Sequence, residues 1–211
     1  MNQFKFLTSN QQKASDFLSY GVIAQPFNKE ITEIKHEDVR MVALHKARDT
    51  GLNNIVVEDT ALYIENSNIF GTDIKHAYDN MLAHRLYNNE KACWMVCLCA
   101  KSNNKFILSV GKVDGQIFHP HSKHGYHFEK FFAINHKGNI THFNDLPGLI
   151  KKELNPRLYA IENLVCALKY GDYSKVQVIN EADVLNWDGA YQIEAGKGTS
   201  LLTGIAKRNK R

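Results

Sequence analysis

NNIVVEDTALYI, residues 53–64, is the stretch on which the reading of this fold turns. Ile55–Val57 is apolar and β-branched, and the apolar character resumes from Ala61 to Ile64. Such a run reads as a strand. Between the two halves stand Glu58, Asp59 and Thr60, and the spacing predicts a turn or bulge there. Two adjacent carboxylates on a buried strand repel each other and are costly to desolvate. A bound divalent cation removes that penalty, and so does exposure in a loop.

Working outward, FKFLTS (4–9) predicts a first strand, and residues 10–21 a helix with Phe17 and Leu18 inward and Gly21 at its end. Residues 23–34 read as extended, broken by Pro26. Residues 36–51 form the clearest amphipathic pattern. Val39, Val42, Ala43, Leu44 and Ala47 recur at helical spacing, acids open the helix, and Gly51 closes it. A helix is predicted over 74–88. Strands follow in CWMVCLCAKS, KFILSVGKVDGQIF and FEKFFAINHKGNITHF, separated by the turn signals SNN and HKGN. Residues 149–171 read as helix interrupted near Pro156. KVQVI (175–179) is a possible strand, and EAGKGTSLLTG beyond it is loop-like. The pattern is mixed α/β. The expected domain spans 1–170, with a C-terminal extension over 171–211.

Composition excludes several classes. The 211 residues are 44% hydrophobic and 23% charged, ordinary for a globular protein, with a net charge of +4. That charge is too weak to argue for duplex nucleic acid but suits a polyphosphate ligand. No stretch reaches the roughly 20 apolar residues of a membrane span, and MNQFKFLTSN lacks the features of a signal peptide. Cys93, Cys97 and Cys99 would share one strand face as buried thiols, and Cys166 stands apart. Neither disulfides nor a zinc site is expected, and a cytoplasmic setting is.

Four constellations carry candidate chemistry. TSNQQK (8–13) places small and polar residues before a helix start, where backbone N–H groups suit a phosphate and Lys13 adds charge. The bland alternative is an ordinary capped helix. Glu33, Glu58 and Asp59 supply the carboxylates a hard cation needs. Lys46 lies on the inner ALHKA stretch, where a lysine either snorkels or pairs. GYHFEKFF (125–132) offers Tyr126 and Phe128 for stacking and Glu129 for base edges; a hairpin with core aromatics is the competing reading. Lys151 and Arg157 share one cleft if the helix breaks at Pro156. His119, His121, His124 and His127 lack partners that would complete a metal site, and read as a solvated loop.

The order of these segments resembles the inosine triphosphate pyrophosphatase family, hydrolases of non-canonical purine nucleoside triphosphates. FLTSNQQKASDF, HKA on an amphipathic helix, VVEDTAL, GKVDGQI, GYHFEKFF and FNDL carry the resemblance over roughly residues 4 to 168. It implies a long mixed central sheet with flanking helices and two lobes around a cleft. It also implies Mg²⁺-dependent conversion of a nucleoside triphosphate to monophosphate and pyrophosphate, by a homodimer. By the resemblance, Thr8, Ser9, Asn10 and Lys13 correspond to the phosphate-binding turn. Glu33 and Asp59 correspond to the Mg²⁺ acids, with Glu58 and Thr60 beside them. Asp59 corresponds to the group that activates water, and Lys46 and Lys75 to substrate-contacting lysines. Tyr126, His127, Phe128 and Glu129 correspond to the base pocket, and Lys151 and Arg157 to the final motif.

Two departures stand out. The family's Phe-Gly-Trp-Asp type segment is here Tyr126-His127-Phe128-Glu129, and its Ser-His-Arg is Asn155-Pro156-Arg157. Both halves of the base pocket differ, so altered base selectivity is expected. A binding or scaffold protein that has lost turnover is the alternative. A septum-inhibitor-type nucleotide pyrophosphatase ranks lower, because the Ser-x-Arg-Arg start is missing.

Overall fold

The computed structural model describes residues 4–8, 10–25, 31, 33–67, 71–73, 87–125 and 127–191. Residues 74–86 of the expected helix over 74–88, Lys75 among them, lie outside these residues, as do Ser9, Pro26, Tyr126 and the Gly-rich segment after 191; residues 87 and 88 belong to a turn.

Eight strands form one mixed sheet: β1 (Lys5–Leu7), β2 (Ile23–Gln25), β3 (Ile55–Ile64), β4 (Lys91–Ser102), β5 (Lys105–Ile117), β6 (Phe132–His136), β7 (Asn139–His142) and β8 (Gln177–Asn180). The order is β2-β1-β3-β4-β5-β6-β7, with β8 also on β5. β1 runs parallel to β2 and β3, and the other pairings are antiparallel. Among the described residues the α-helices are α1 (Gln11–Leu18), α2 (Val39–Asp49), α3 (Gly148–Leu154) and α4 (Pro156–Tyr170). This is the mixed sheet with flanking helices that the resemblance implies.

β3 corrects one expectation. It is an unbroken ten-residue strand, paired in continuous register from Ile55 opposite Lys101 to Ile64 opposite Ala92. There is no turn or bulge at Glu58-Asp59. Strand side chains alternate between faces, so Val56, Leu62 and Ile64 join one core with Phe17, Trp94 and Leu164, on the α1 and α4 side. Ile55, Val57 and Ala61 join a second core with Val39, Ala43 and Ala47 of α2. Glu58 follows the first set and Asp59 the second. The neighbouring carboxylates therefore lie on opposite faces.

The five apolar positions expected to face inward on α2 are all buried. The acids precede this helix rather than opening its first turn. Asp38 is the N-cap, accepting from the Arg40 N–H at 2.8 Å. Tyr63 locks the same terminus, since its hydroxyl accepts from the Val39 N–H at 3.0 Å and donates to the Glu37 carbonyl at 2.8 Å. On α1, Phe17 is buried as expected, but Leu18 is 65% exposed. A helix of only two turns covers the sheet with a narrow stripe, and Leu18 lies one step past it.

Pro156 splits the predicted long helix in two. Asn155 ends α3 and caps α4, its Oδ1 accepting from the Arg157 N–H at 2.9 Å. Proline at the first helical position has its φ already set and gives up no helical hydrogen bond. α4 crosses β5 at Gly111, where an added Cβ would stand 1.9 Å from the Pro156 carbonyl oxygen. Glycine is required there for the close approach.

Cys97 and Cys99 are buried and Cys93 is half-buried, and all four cysteines are free thiols. Burial pushes the Cys93 thiol up to about 11 and holds Cys99 higher still. The histidine loop is not simply solvated: the rings of His119 and His121 pack on Phe131, at 5.0 and 5.6 Å between centroids.

Candidate active site

Two charge clusters flank β3, one on each face. On the α2 side, Lys46 reaches down from the helix to two acids. Its ammonium donates to Glu33 Oε1 and lies 3.8 Å from Asp59 Oδ1. Glu33 comes from the segment before α2 and Asp59 from β3, so three separate stretches of chain meet at one point. Burial pulls the Lys46 ammonium down, but the Asp59 and Glu33 carboxylates outweigh it and hold the lysine charged above its ordinary value.

On the α1 and α4 side the partner is Glu58, whose side chain is 1% exposed. Arg157 donates from Nε to Oε2 at 2.9 Å and from Nη2 to Oε1 at 3.3 Å. Lys13 Nζ stands 2.7 Å from Oε1, and the Thr60 hydroxyl donates to the same oxygen at 3.2 Å. Burial raises the Glu58 carboxyl, yet Arg157 and Lys13 more than offset this and bring it down to about 2. Arg157 also donates from Nη1 to Asp16 at 3.0 Å. Burial lowers this guanidinium and Glu58 raises it further, so it stays protonated.

These contacts resolve the problem posed by adjacent acids on a buried strand. Neither exposure nor one shared cation is needed to hold them. The pleat separates the carboxylates, and each face supplies its own cations.

Magnesium needs one or two carboxylates, with water and substrate oxygens completing its octahedron. Glu33 and Asp59, converging on one ammonium, provide such a pair of hard oxygen donors from different segments. Among the described residues no group of three or more His, Cys, Asp or Glu side chains stands together as a protein-only metal cage. Two carboxylates fit a metal whose remaining ligands are water and a bound anion.

The start of α1 is a capped turn. The Asn10 N–H donates to Thr8 Oγ1 at 3.0 Å, and the Lys13 N–H to Asn10 Oδ1 at 3.2 Å. Lys13 projects from this turn to Glu58. In the aromatic segment, His127 has φ 49°, in the left-handed region that favours glycine. The histidine therefore occupies a position with a glycine-type backbone. Phe128 is buried, edge-on to Trp94 at 5.4 Å between centroids, so its ring belongs to the core. Glu129 accepts from Asn144 Nδ2 at 3.3 Å. Lys151 lies on α3, outside the ion pairs around Arg157.

The sequence reading singled out neither Asp16 nor Asn144 as a site residue, and named Asn155 only as a departure from the family's motif, not as a cap. Asp16 had a usable signal, since it follows Lys13 by three residues on one helix and shares its face. Asn155 had one too, because Asn followed by Pro is an N-cap followed by a first-turn proline. Asn144 had none, since only the fold brings it to Glu129.

A mixed sheet with flanking helices, presenting paired lysines and carboxylates from separate segments, defines an α/β scaffold of the inosine triphosphate pyrophosphatase type. The chain belongs to the Ham1 family, which it matches over residues 4–167. Members of this family are in general pyrophosphatases of non-canonical purine nucleoside triphosphates, and hydrolases. Compared with individual curated proteins, the chain matches none.

Proposed function

We propose that this chain is a Mg²⁺-dependent nucleoside triphosphate pyrophosphohydrolase. It converts a nucleoside or deoxynucleoside triphosphate and water to the monophosphate and pyrophosphate. Its substrates are non-canonical purine nucleotides, with base selectivity shifted from the family's usual one. The observation that carries this reading is the meeting of Glu33, Lys46 and Asp59 from three chain segments.

Glu33 and Asp59 would hold the metal. When bound, Mg²⁺ supplies charge neutralisation on the phosphates and a more acidic water. Asp59 accepts the proton of the attacking water, whose oxygen bonds to the α-phosphorus. The bond from that phosphorus to the oxygen bridging to the β-phosphate breaks, and pyrophosphate departs with the electron pair. Lys46, kept charged by its two acids, stabilises the negative charge that accumulates on the leaving group. Glu58 positions Lys13 and Arg157 on the opposite face of β3. Lys13 reaches Glu58 from the first turn of α1, which the Thr8–Asn10 turn precedes.

His127 and Glu129 account for the altered selectivity. The family's glycine and aspartate are here a larger ring and a longer carboxylate, and the ring stands at φ 49°, a backbone that favours glycine. The family's homodimer and a cytoplasmic setting belong to the same proposal. No helix among the described residues is long and apolar enough to cross a membrane.

Pyrophosphate release from a panel of natural, deaminated and modified triphosphates, with and without Mg²⁺, tests the proposal. Asp59→Asn is expected to lower turnover by at least about a hundredfold, the range for loss of a general base, with an unchanged circular dichroism spectrum. Triphosphate binding without pyrophosphate release would identify the chain as a binding protein. An active Asp59→Asn variant would remove Asp59 from the chemistry.

A further inference from the structure

The family match ends at residue 167, yet the chain folds on across the body for more than twenty residues. β8 adds to the edge of β5, with Lys105 opposite Asn180 and Leu108 opposite Gln177. Glu181 then pairs with Lys101 at 2.7 Å. From there the chain crosses α2 toward the segment that carries Glu33. Arg48 of α2 donates from Nη1 to the Leu185 carbonyl at 2.9 Å. The Trp187 ring stands edge-on to His36 and to His45, at 5.5 and 6.1 Å between centroids. Its Nε1–H donates to the Ala190 carbonyl at 2.8 Å, closing a tight loop. That same carbonyl accepts from the Lys35 N–H at 2.8 Å, and Ile34 bridges to Tyr191.

We propose that residues 185–191 are a strap that positions the Glu33-bearing segment against α2, with Trp187 as its positioning residue. Glu33 lies in no helix or named strand. The backbone bonds of its neighbours Ile34 and Lys35 run to the strap. The strap grips α2 at Arg48 and His45, the turn that also carries Lys46. It therefore sets the spacing between Glu33 and Lys46, and with it the spacing between Glu33 and Asp59. The two halves of a metal-holding carboxylate pair come from different segments, and a fixed separation between them lowers the ordering cost of binding. The inference rests on the proposed role of Glu33 and Asp59, and it adds a determinant of metal affinity that lies outside the family's matched region.

Trp187→Ala and Arg48→Met, each made in the full chain, test it by two readouts. Hydrogen exchange at the Lys35 amide, measured without nucleotide or metal, reports whether the strap is anchored. It is expected to quicken by roughly tenfold or more in both variants. The Mg²⁺ concentration for half-maximal pyrophosphate release, from whichever triphosphate of the panel the wild type cleaves fastest, reports the coupling. It is expected to rise roughly tenfold or more, the usual effect of losing a partner that orients a metal ligand. The rate at saturating Mg²⁺ should stay within about twofold of wild type, since the reacting groups are unchanged.

Unchanged exchange at Lys35 in both variants overturns the strap. Faster exchange with an unchanged Mg²⁺ midpoint overturns its positioning role while leaving the proposed reaction intact. A wild type that releases no pyrophosphate from any triphosphate overturns the reaction and this inference together. Should Trp187→Ala fail to fold, Arg48→Met decides, because it cuts only the exposed bond to the Leu185 carbonyl and the neighbouring pair with Asp49, and leaves the ring in place.

Discussion

Replacing Glu58 by glutamine removes the one anion on which Lys13 and Arg157 converge. Glu58 accepts from Arg157 at 2.9 and 3.3 Å and pairs with Lys13 at 2.7 Å, inside the protein. Its carboxyl is brought from the usual 4.5 to about 2. At about 1.4 kcal/mol for each tenfold change, the ionised form contributes roughly 3 kcal/mol to folding. The cost of breaking a buried pair by removing one partner is about 3–5 kcal/mol, which agrees. Against a total of about 5–15 kcal/mol, that loss is large. Because the folded value is depressed, the contribution is complete above pH 4.5 and disappears as pH falls toward 2. Urea unfolding followed by tryptophan fluorescence, at several pH values from 7 down to 2.5, reads both effects. Glu58→Gln should be less stable than wild type by about 3 kcal/mol at pH 7, with the gap narrowing steadily below pH 4.5. A gap under about 1 kcal/mol at pH 7, or one of constant size in acid, would refute the account of this cluster.

Two further outcomes concern the proposed base pocket. His127→Gly should raise the melting temperature by about 2–4 °C, since it relieves about 1 kcal/mol of left-handed strain at φ 49°; an unchanged or lower melting point would show that the ring's contacts outweigh the backbone. Glu129→Ala should change the ranking of triphosphate substrates in pyrophosphate-release assays while leaving the Mg²⁺ requirement in place. A uniform fall across all bases would instead tie Glu129 to the framework through its bond to Asn144.

Much of the fold was legible because periodicity reflects burial directly. The apolar stripe of α2 and the helix break at Pro156 are local consequences of local residues. Lys46 was legible only in part, since a lysine among alanines and leucines either snorkels or pairs, and only the fold brings Glu33 and Asp59 to it. The continuity of β3 was not legible. A Glu-Asp pair reads as a strand ending, because the cations that stabilise it come from residues 13, 46 and 157, far away in sequence. Phe128 shows the same limit: aromatic character alone does not separate a stacking surface from a core ring, and only Trp94 decides it. The proposed strap was not legible, because Trp187 meets His36 and His45, and Leu185 meets Arg48, across more than 130 residues of sequence, and its remaining bonds to Ile34 and Lys35 run between backbone groups, which carry no residue-type signature.

The alternation along β3 makes this strand intolerant of any change in length. Deleting one residue upstream of Glu58, within Ile55–Val57, would rotate every following side chain to the other layer. Asp59 would then face the guanidinium of Arg157, and its neighbour Thr60 would stand under Lys46, leaving that ammonium with Glu33 alone. Leu62 and Ile64 would turn away from the tryptophan-lined interior at the same stroke. Variation in such a chain is thus confined to substitutions in β3, while gains and losses of residues fall in the connections on either side.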